Sequence, residues 1–102
     1  MSALSEFQDI FEMLPPFDSI PCIQRVLLFG SRARHDNEER SDIDLAIQTT
    51  SVDLKNWDQI CTFVTERAMT LLPFNLIWLN QASETFRKRI ESEGVVLYER
   101  KA

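Results

Sequence analysis

The sequence predicts an α+β fold, a small mixed β-sheet flanked by helices, and three observations carry that prediction. Compact apolar runs at 25–29, 42–48 and 74–79 have the length and the branched or aromatic content of buried strands. Apolar residues elsewhere recur at helical spacing, most extensively at Trp57, Ile60, Cys61, Val64, Ala68 and Leu71. The two kinds of segment follow one another through 102 residues without a linker, repeat or low-complexity tract, which fits a single domain over 1–102 with one core.

In order, Leu4, Phe7, Ile10, Phe11 and Leu14 predict a short amphipathic helix over 4–14, stopped by Pro15-Pro16. Residues 17–24 form a connector broken by Pro21. The run 25–29 ends abruptly at Gly30 and reads as a strand, followed by a short helix over 31–35. A charged loop over 35–40 contains His35, the only histidine, expected as a solvated residue. A second strand spans 42–48. The long helix has start signals at Ser51 to Asp53 and at Asn56, and Pro73 closes it. After the third strand, Ser83 caps a helix through Glu93, with Phe86 and Ile90 inward and Gly94 as its stop. Arg87, Lys88 and Arg89 form a solvated face of that helix, with a partner-binding edge as the sharper alternative. A short extended piece covers 95–98.

Eleven basic residues against sixteen acidic ones give a net charge of −5, which argues against direct nucleic-acid binding through a general basic face. Cys22 and Cys61 stand apart among apolar neighbours and are expected to be buried free thiols. No apolar run reaches the length of a membrane span and no signal-peptide pattern opens the chain, so the expected location is the cytoplasm, with no membrane association.

The chemistry concentrates between Gly30 and Asp44. On a strand, side chains at i and i+2 share a face, so Asp42 and Asp44 project together while Ile43, Leu45 and Ile47 point the other way. Two carboxylates on one face of a buried strand need cations, and a pair of divalent ions carrying a nucleoside triphosphate would supply them. Gly30-Ser31 fits a phosphate site, because glycine admits close backbone approach and serine offers a hydroxyl at a strand-to-helix junction. Arg32 and Arg34 follow as candidates for charge-assisted contacts.

Gly30-Ser31, ten intervening residues and then Asp42-x-Asp44 resembles the signature of the polymerase-beta-type nucleotidyltransferases. The small size resembles their minimal nucleotidyltransferase (MNT) branch. Four specified residues at fixed offsets arise by chance in on the order of one in a thousand chains of this length, so the match carries weight. The resemblance implies the nucleotidyltransferase fold, in which the glycine-serine turn and the D-x-D strand lie side by side. It implies metal-bound Asp42 and Asp44, a two-ion magnesium site, ATP as substrate, and nucleotide contacts from Gly30, Ser31, Arg32 and Arg34. A third carboxylate belongs on the next strand, within Phe74-Asn75-Leu76-Ile77, where this chain has Asn75. An amide still offers an oxygen but carries no charge and accepts no proton as a base.

MNT proteins of this size are typically antitoxins paired with a HEPN-domain toxin, transferring AMP to a toxin tyrosine. The resemblance therefore implies a HEPN-domain partner and a hetero-oligomer with it. The alternative is a catalytically degenerate MNT antitoxin that neutralises its toxin by binding alone, as Asn75 allows. An antibiotic nucleotidyltransferase would need more chain to hold its acceptor, and a purely structural protein gives Asp42 and Asp44 no reason to share a face.

Overall fold

Four strands form one mixed sheet in the order β3-β2-β1-β4 in the computed structural model, which describes residues 7–100. The central pair, β1 (Ile23–Phe29) and β2 (Ile43–Thr49), is antiparallel, and β4 (Val95–Glu99) runs antiparallel along the other edge of β1. β3 (Phe74–Trp78) lies parallel to β2 on the outside. Among the described residues four α-helices complete the fold: α1 (Gln8–Met13), α2 (Gly30–Ala33), α3 (Leu54–Arg67) and α4 (Glu84–Glu93). The expected small mixed sheet flanked by helices is the fold observed.

Strand alternation divides the core into two unequal layers. Val26, Leu28, Ile43, Leu45 and Ile47 face one side, where Ile10 of α1 and Ile60 and Val64 of α3 pack against them. Leu27, Phe29 and Ala46 face the other side, closed by Leu79 and by Ile90 of α4. β1 is therefore buried on both faces, and its sequence is a continuous apolar run for that reason. Phe29, Asp44 and Asn75 stand in register across three strands.

The one buried polar residue among those described is Thr49, at the far end of β2. Its N–H donates to Asn80 Oδ1 (2.9 Å), and its hydroxyl accepts from Trp78 Nε1 (3.0 Å). The indole of Trp78 stacks on Trp57, with centroids 5.3 Å apart, and so ties β3 to α3. Asp53 caps α3 by accepting from the Asn56 N–H at 2.8 Å, and Ser83 caps α4 by accepting from the Phe86 N–H at 3.2 Å.

Several expected boundaries shift. α3 ends at Arg67 instead of continuing to Leu71, and Leu71 is fully exposed at 104%. The chain leaves the helix because Ala68 is extended and the Met69 N–H is taken by Met13 O at 2.7 Å. α1 is six residues long; Leu14, preceding Pro15, is extended as a residue before proline prefers. Leu4 and the start of the expected helix lie outside the described residues. β2 begins at Ile43, so Asp42 precedes the ladder, and Leu79–Gln81 makes a 3-10 turn after β3. Phe86 is 36% exposed and meets Phe29 edge-on at 6.0 Å. Gly94 ends α4 at φ −75°, without the left-handed turn a glycine stop usually supplies. A side chain there would collide with Ile90 O and come within 3.3 Å of Leu28 O.

Cys22 and Cys61 are free but half-buried, not fully buried as expected, and burial pushes the Cys61 thiol above its ordinary value. Among the described residues no helix is long and apolar enough to cross a membrane.

These boundaries set stability. Leu28→Ala in the fully buried layer should cost about 2–5 kcal/mol, whereas exposed Leu71→Ala should stay within about 0.5 kcal/mol. Urea unfolding midpoints measure both.

Candidate active site

The site is built where β1 ends and the chain must turn without entering the space occupied by β2. Phe29 pairs with Asp44, and the next residue, Gly30, adopts φ +75°, a backbone conformation that L side chains rarely take. Steric crowding adds to this requirement. A Cβ at Gly30 would collide with Asp44 Oδ2 and lie 3.0 Å from its Cγ. Glycine thus brings the turn backbone directly against the carboxylate.

Ser31 does not cap the helix, contrary to the sequence expectation, because the capping position falls on Phe29 and Ser31 sits inside the single turn of α2. Its hydroxyl makes no hydrogen bond recorded among the described residues. The opening N–H groups of such a turn lack an i−4 carbonyl partner, and Gly30 sets this turn directly against Asp44.

Arg32 faces the loop that leads back to the sheet. Its Nε donates to Ser41 O (3.2 Å), and one terminal nitrogen donates to Ser41 O (2.8 Å) and Glu39 O (3.1 Å). Arg34 is exposed and ion-paired with Asp36 (3.1 Å) and Glu93 (3.5 Å). The hydrogen bond and charge of Asp36, with Glu93 beyond it, push Arg34 above its ordinary value. The loop is more ordered than its charge pattern suggests. Asp36 N–H donates to Ser31 O (3.0 Å), and Glu38 N–H donates to Ser41 Oγ (2.8 Å). His35 adopts φ 63°, and its exposed ring stacks on Phe7 with centroids 5.1 Å apart, so it is not simply a solvated loop residue.

Asp42 is exposed, while Asp44 is half-buried between Phe29 and Asn75. Desolvation pushes the Asp44 carboxyl above its ordinary value of 3.8, and the negative charge of Asp42 pushes the same way. A hydrogen bond from the Asn75 side chain, together with the charges of Arg34 and Arg32, opposes that shift without cancelling it. Asn75 therefore points into the site from β3, a direction the sequence alone left open. The net effect is an Asp44 carboxyl held toward its neutral form, chiefly by burial.

Two carboxylates two residues apart fit a divalent cation. Magnesium is commonly held by one or two carboxylates plus substrate phosphates, a donor set that Asp42 and Asp44 match. No cluster of three metal-ligating side chains occurs among the described residues, so this donor set suits one ion arriving with a nucleotide better than an all-protein cage.

The structure brings Gly30, Ser31, Asp42, Asp44 and Asn75 to one end of the sheet and turns Arg32 toward the loop. Sequence reasoning missed Ser41, whose carbonyl and hydroxyl organise the return to Asp42. Its one sequence signal was its place immediately before Asp42. The basic cluster on α4 is partly absorbed by neighbours: Lys88 pairs with Glu84, Arg89 with Glu93, and Arg87 donates to the carbonyls of Leu79 and Asn80.

A family model described as polymerase beta, nucleotidyltransferase, matches residues 13–102. Among solved structures, a toxin–antitoxin with AMP-PNP is similar at 21% identity and TM-score 0.58, covering 97% of this chain and 75% of that one. An MntA-HpeT toxin–antitoxin mutant with two aspartates, two positions apart, changed to glutamate is 20% identical, with TM-score 0.57 and coverage of 96% and 74%. An MntA-HpeT mutant with one tyrosine changed to alanine is 20% identical, with TM-score 0.60 and coverage of 99% and 76%. At these identities the likeness is one of fold. No curated protein matches the chain.

Burial favours protonated Asp44 in the folded chain, so its contribution to stability is greatest below the ordinary carboxylate range and falls as pH rises through its raised value. In metal-free buffer Asp44→Asn should therefore raise the melting temperature at pH 7, with the gain shrinking as pH is lowered through the raised value and gone below about 4. Gly30→Ala should destabilise by at least about 1–2 kcal/mol from backbone conformation alone. Combining it with Asp44→Ala should recover the part due to collision, as calorimetric melts would show.

Proposed function

Because this chain belongs to the polymerase beta nucleotidyltransferase family, we propose that it transfers AMP from ATP to a tyrosine of a partner HEPN-domain toxin and so acts as an antitoxin. The observation that carries the proposal is the approach of the Asp44 carboxylate, with Asp42 two residues before it, to the glycine turn at Gly30. Two further likenesses support it. A structure of the same fold, a toxin–antitoxin, contains AMP-PNP, an ATP analogue, and another carries its two substitutions at aspartates with the same two-residue spacing. The protein is then cytoplasmic and forms a hetero-oligomer with its toxin.

In this function Asp42 and Asp44 would hold magnesium together with the triphosphate, and the ion would supply positive charge to the phosphoryl oxygens as pyrophosphate leaves. Gly30 lets the turn backbone approach the phosphates, and the Ser31 amide and hydroxyl donate to them. Arg34 adds positive charge at the edge of the site while remaining tethered to Asp36 and Glu93. The Asn75 amide orients Asp44 by donating to it and has no basic lone pair with which to deprotonate the acceptor. The tyrosine proton therefore leaves to the partner or to solvent, and transfer is slow.

That same amide favours a second function, in which the chain binds nucleotide or toxin without catalysing transfer. Radiolabelled AMP appearing on the co-expressed toxin separates the two. Asn75→Asp places a carboxylate at the acceptor and should raise transfer by roughly 100-fold, the lower range for general-base assistance. If neither protein labels the toxin while both still bind it, neutralisation works by contact alone.

A further inference from the structure

Asp42 is the less secured of the two carboxylates. It lies before the first residue of β2, is exposed, and makes no hydrogen bond recorded among the described residues. Asp44, by contrast, is fixed in the ladder between Phe29 and Asn75. Two carboxylates two residues apart repel, which favours movement of the loop that carries Asp42 away from Asp44.

The contacts opposing that movement centre on Arg32. Its guanidinium bridges Glu39 O and Ser41 O through three hydrogen bonds of 2.8–3.2 Å, gripping the backbone immediately before Asp42. Ser41 is held from inside the loop as well, because its N–H donates to Glu38 O (3.1 Å) and its hydroxyl accepts from Glu38 N–H (2.8 Å). On the sheet side, Ile43 N–H donates to Pro73 O (3.0 Å). Asp42 thus sits between two fixed points, one in the ladder and one supplied by Arg32.

We infer that Arg32 is a positioning residue: it presets Asp42 beside Asp44 by clamping the loop carbonyls. This inference rests on the metal–nucleotide function proposed above. It differs from the sequence expectation that Arg32 contacts the nucleotide, since its donors are directed at the loop. The planar guanidinium reaches two carbonyls at once, and an ammonium cannot reproduce that fork. Lysine at this position should keep the charge and lose the clamp.

The test uses Mn2+ as the probe, titrated with and without AMP-PNP and followed by electron paramagnetic resonance. Amide exchange at Ser41 and Ile43 is measured in parallel on the metal-free protein. Arg32→Ala should weaken Mn2+ binding roughly tenfold, speed exchange at both amides, and leave the global melting temperature nearly unchanged; Arg32→Lys should behave the same way. Millimolar guanidinium, well below denaturing concentration, should partly restore Mn2+ binding to Arg32→Ala and not to Arg32→Lys. In an Asp42→Asn background, Arg32→Ala should cost little more, because the residue it positions has been neutralised.

Unchanged exchange, or a loss fully additive with that of Asp42→Asn, would overturn the clamp and point to direct contact with the ligand. Should the wild type bind no Mn2+ in either condition, the metal–nucleotide function itself fails. The exchange rates then decide the clamp alone, faster exchange in Arg32→Ala supporting it and equal exchange refuting it.

Discussion

Everything at the functional end of the sheet depends on the approach of Asp44 to Gly30. A turn with a side chain at that position would have to push β2 away from β1, or push the carboxylate out of the site. With glycine, a half-buried acid and the opening amides of a helical turn occupy the same small volume. Asp44 is uncomfortable there: burial and Asp42 both favour its protonated form, and Asn75 only partly compensates. Stability has been yielded locally, which is where a binding site for a cation and an anion together would be expected.

The rest of the chain supplies the rigidity that makes such a site possible. The thicker layer, under α1 and α3, holds the large aliphatic residues of β1 and β2 and anchors the sheet. The thinner layer, under α4, ends at Phe29 and Phe86 and leaves the strand ends open where Asp44 and Asn75 stand. One face is thus packed by two helices, while the other carries the smaller cluster and the proposed site. The loop between them is a structured bridge, pinned by Arg32 and by the Glu38–Ser41 turn.

Much of this was legible in the residues. The apolar run after Asp42 predicts β2, but the strand begins at Ile43, so the shared-face expectation for Asp42 and Asp44 extends one residue beyond the ladder. The spacing to Gly30-Ser31 is legible directly in the residues. The long helix was identified from its apolar stripe, but its end was not. Leu71 continues the spacing by coincidence, and it is a backbone contact between Met69 and Met13, distant in sequence, that draws the chain away. The same limit applies to Arg32, because composition shows a guanidinium beside a phosphate motif and only tertiary structure shows which oxygens it faces. His35 also looked solvated because its stacking partner, Phe7, lies in another element.

The Asp42–Asp44 pair and the Gly30 turn are proposed to form a metal-dependent nucleotide site. The most direct test is calorimetric titration of ATP with and without magnesium, comparing the wild type with Asp42→Asn/Asp44→Asn. Binding that requires magnesium and disappears in the double variant is the predicted result. Absence of binding to the wild type, or equal binding to both proteins, would contradict the claim and leave the fold without the activity assigned to it.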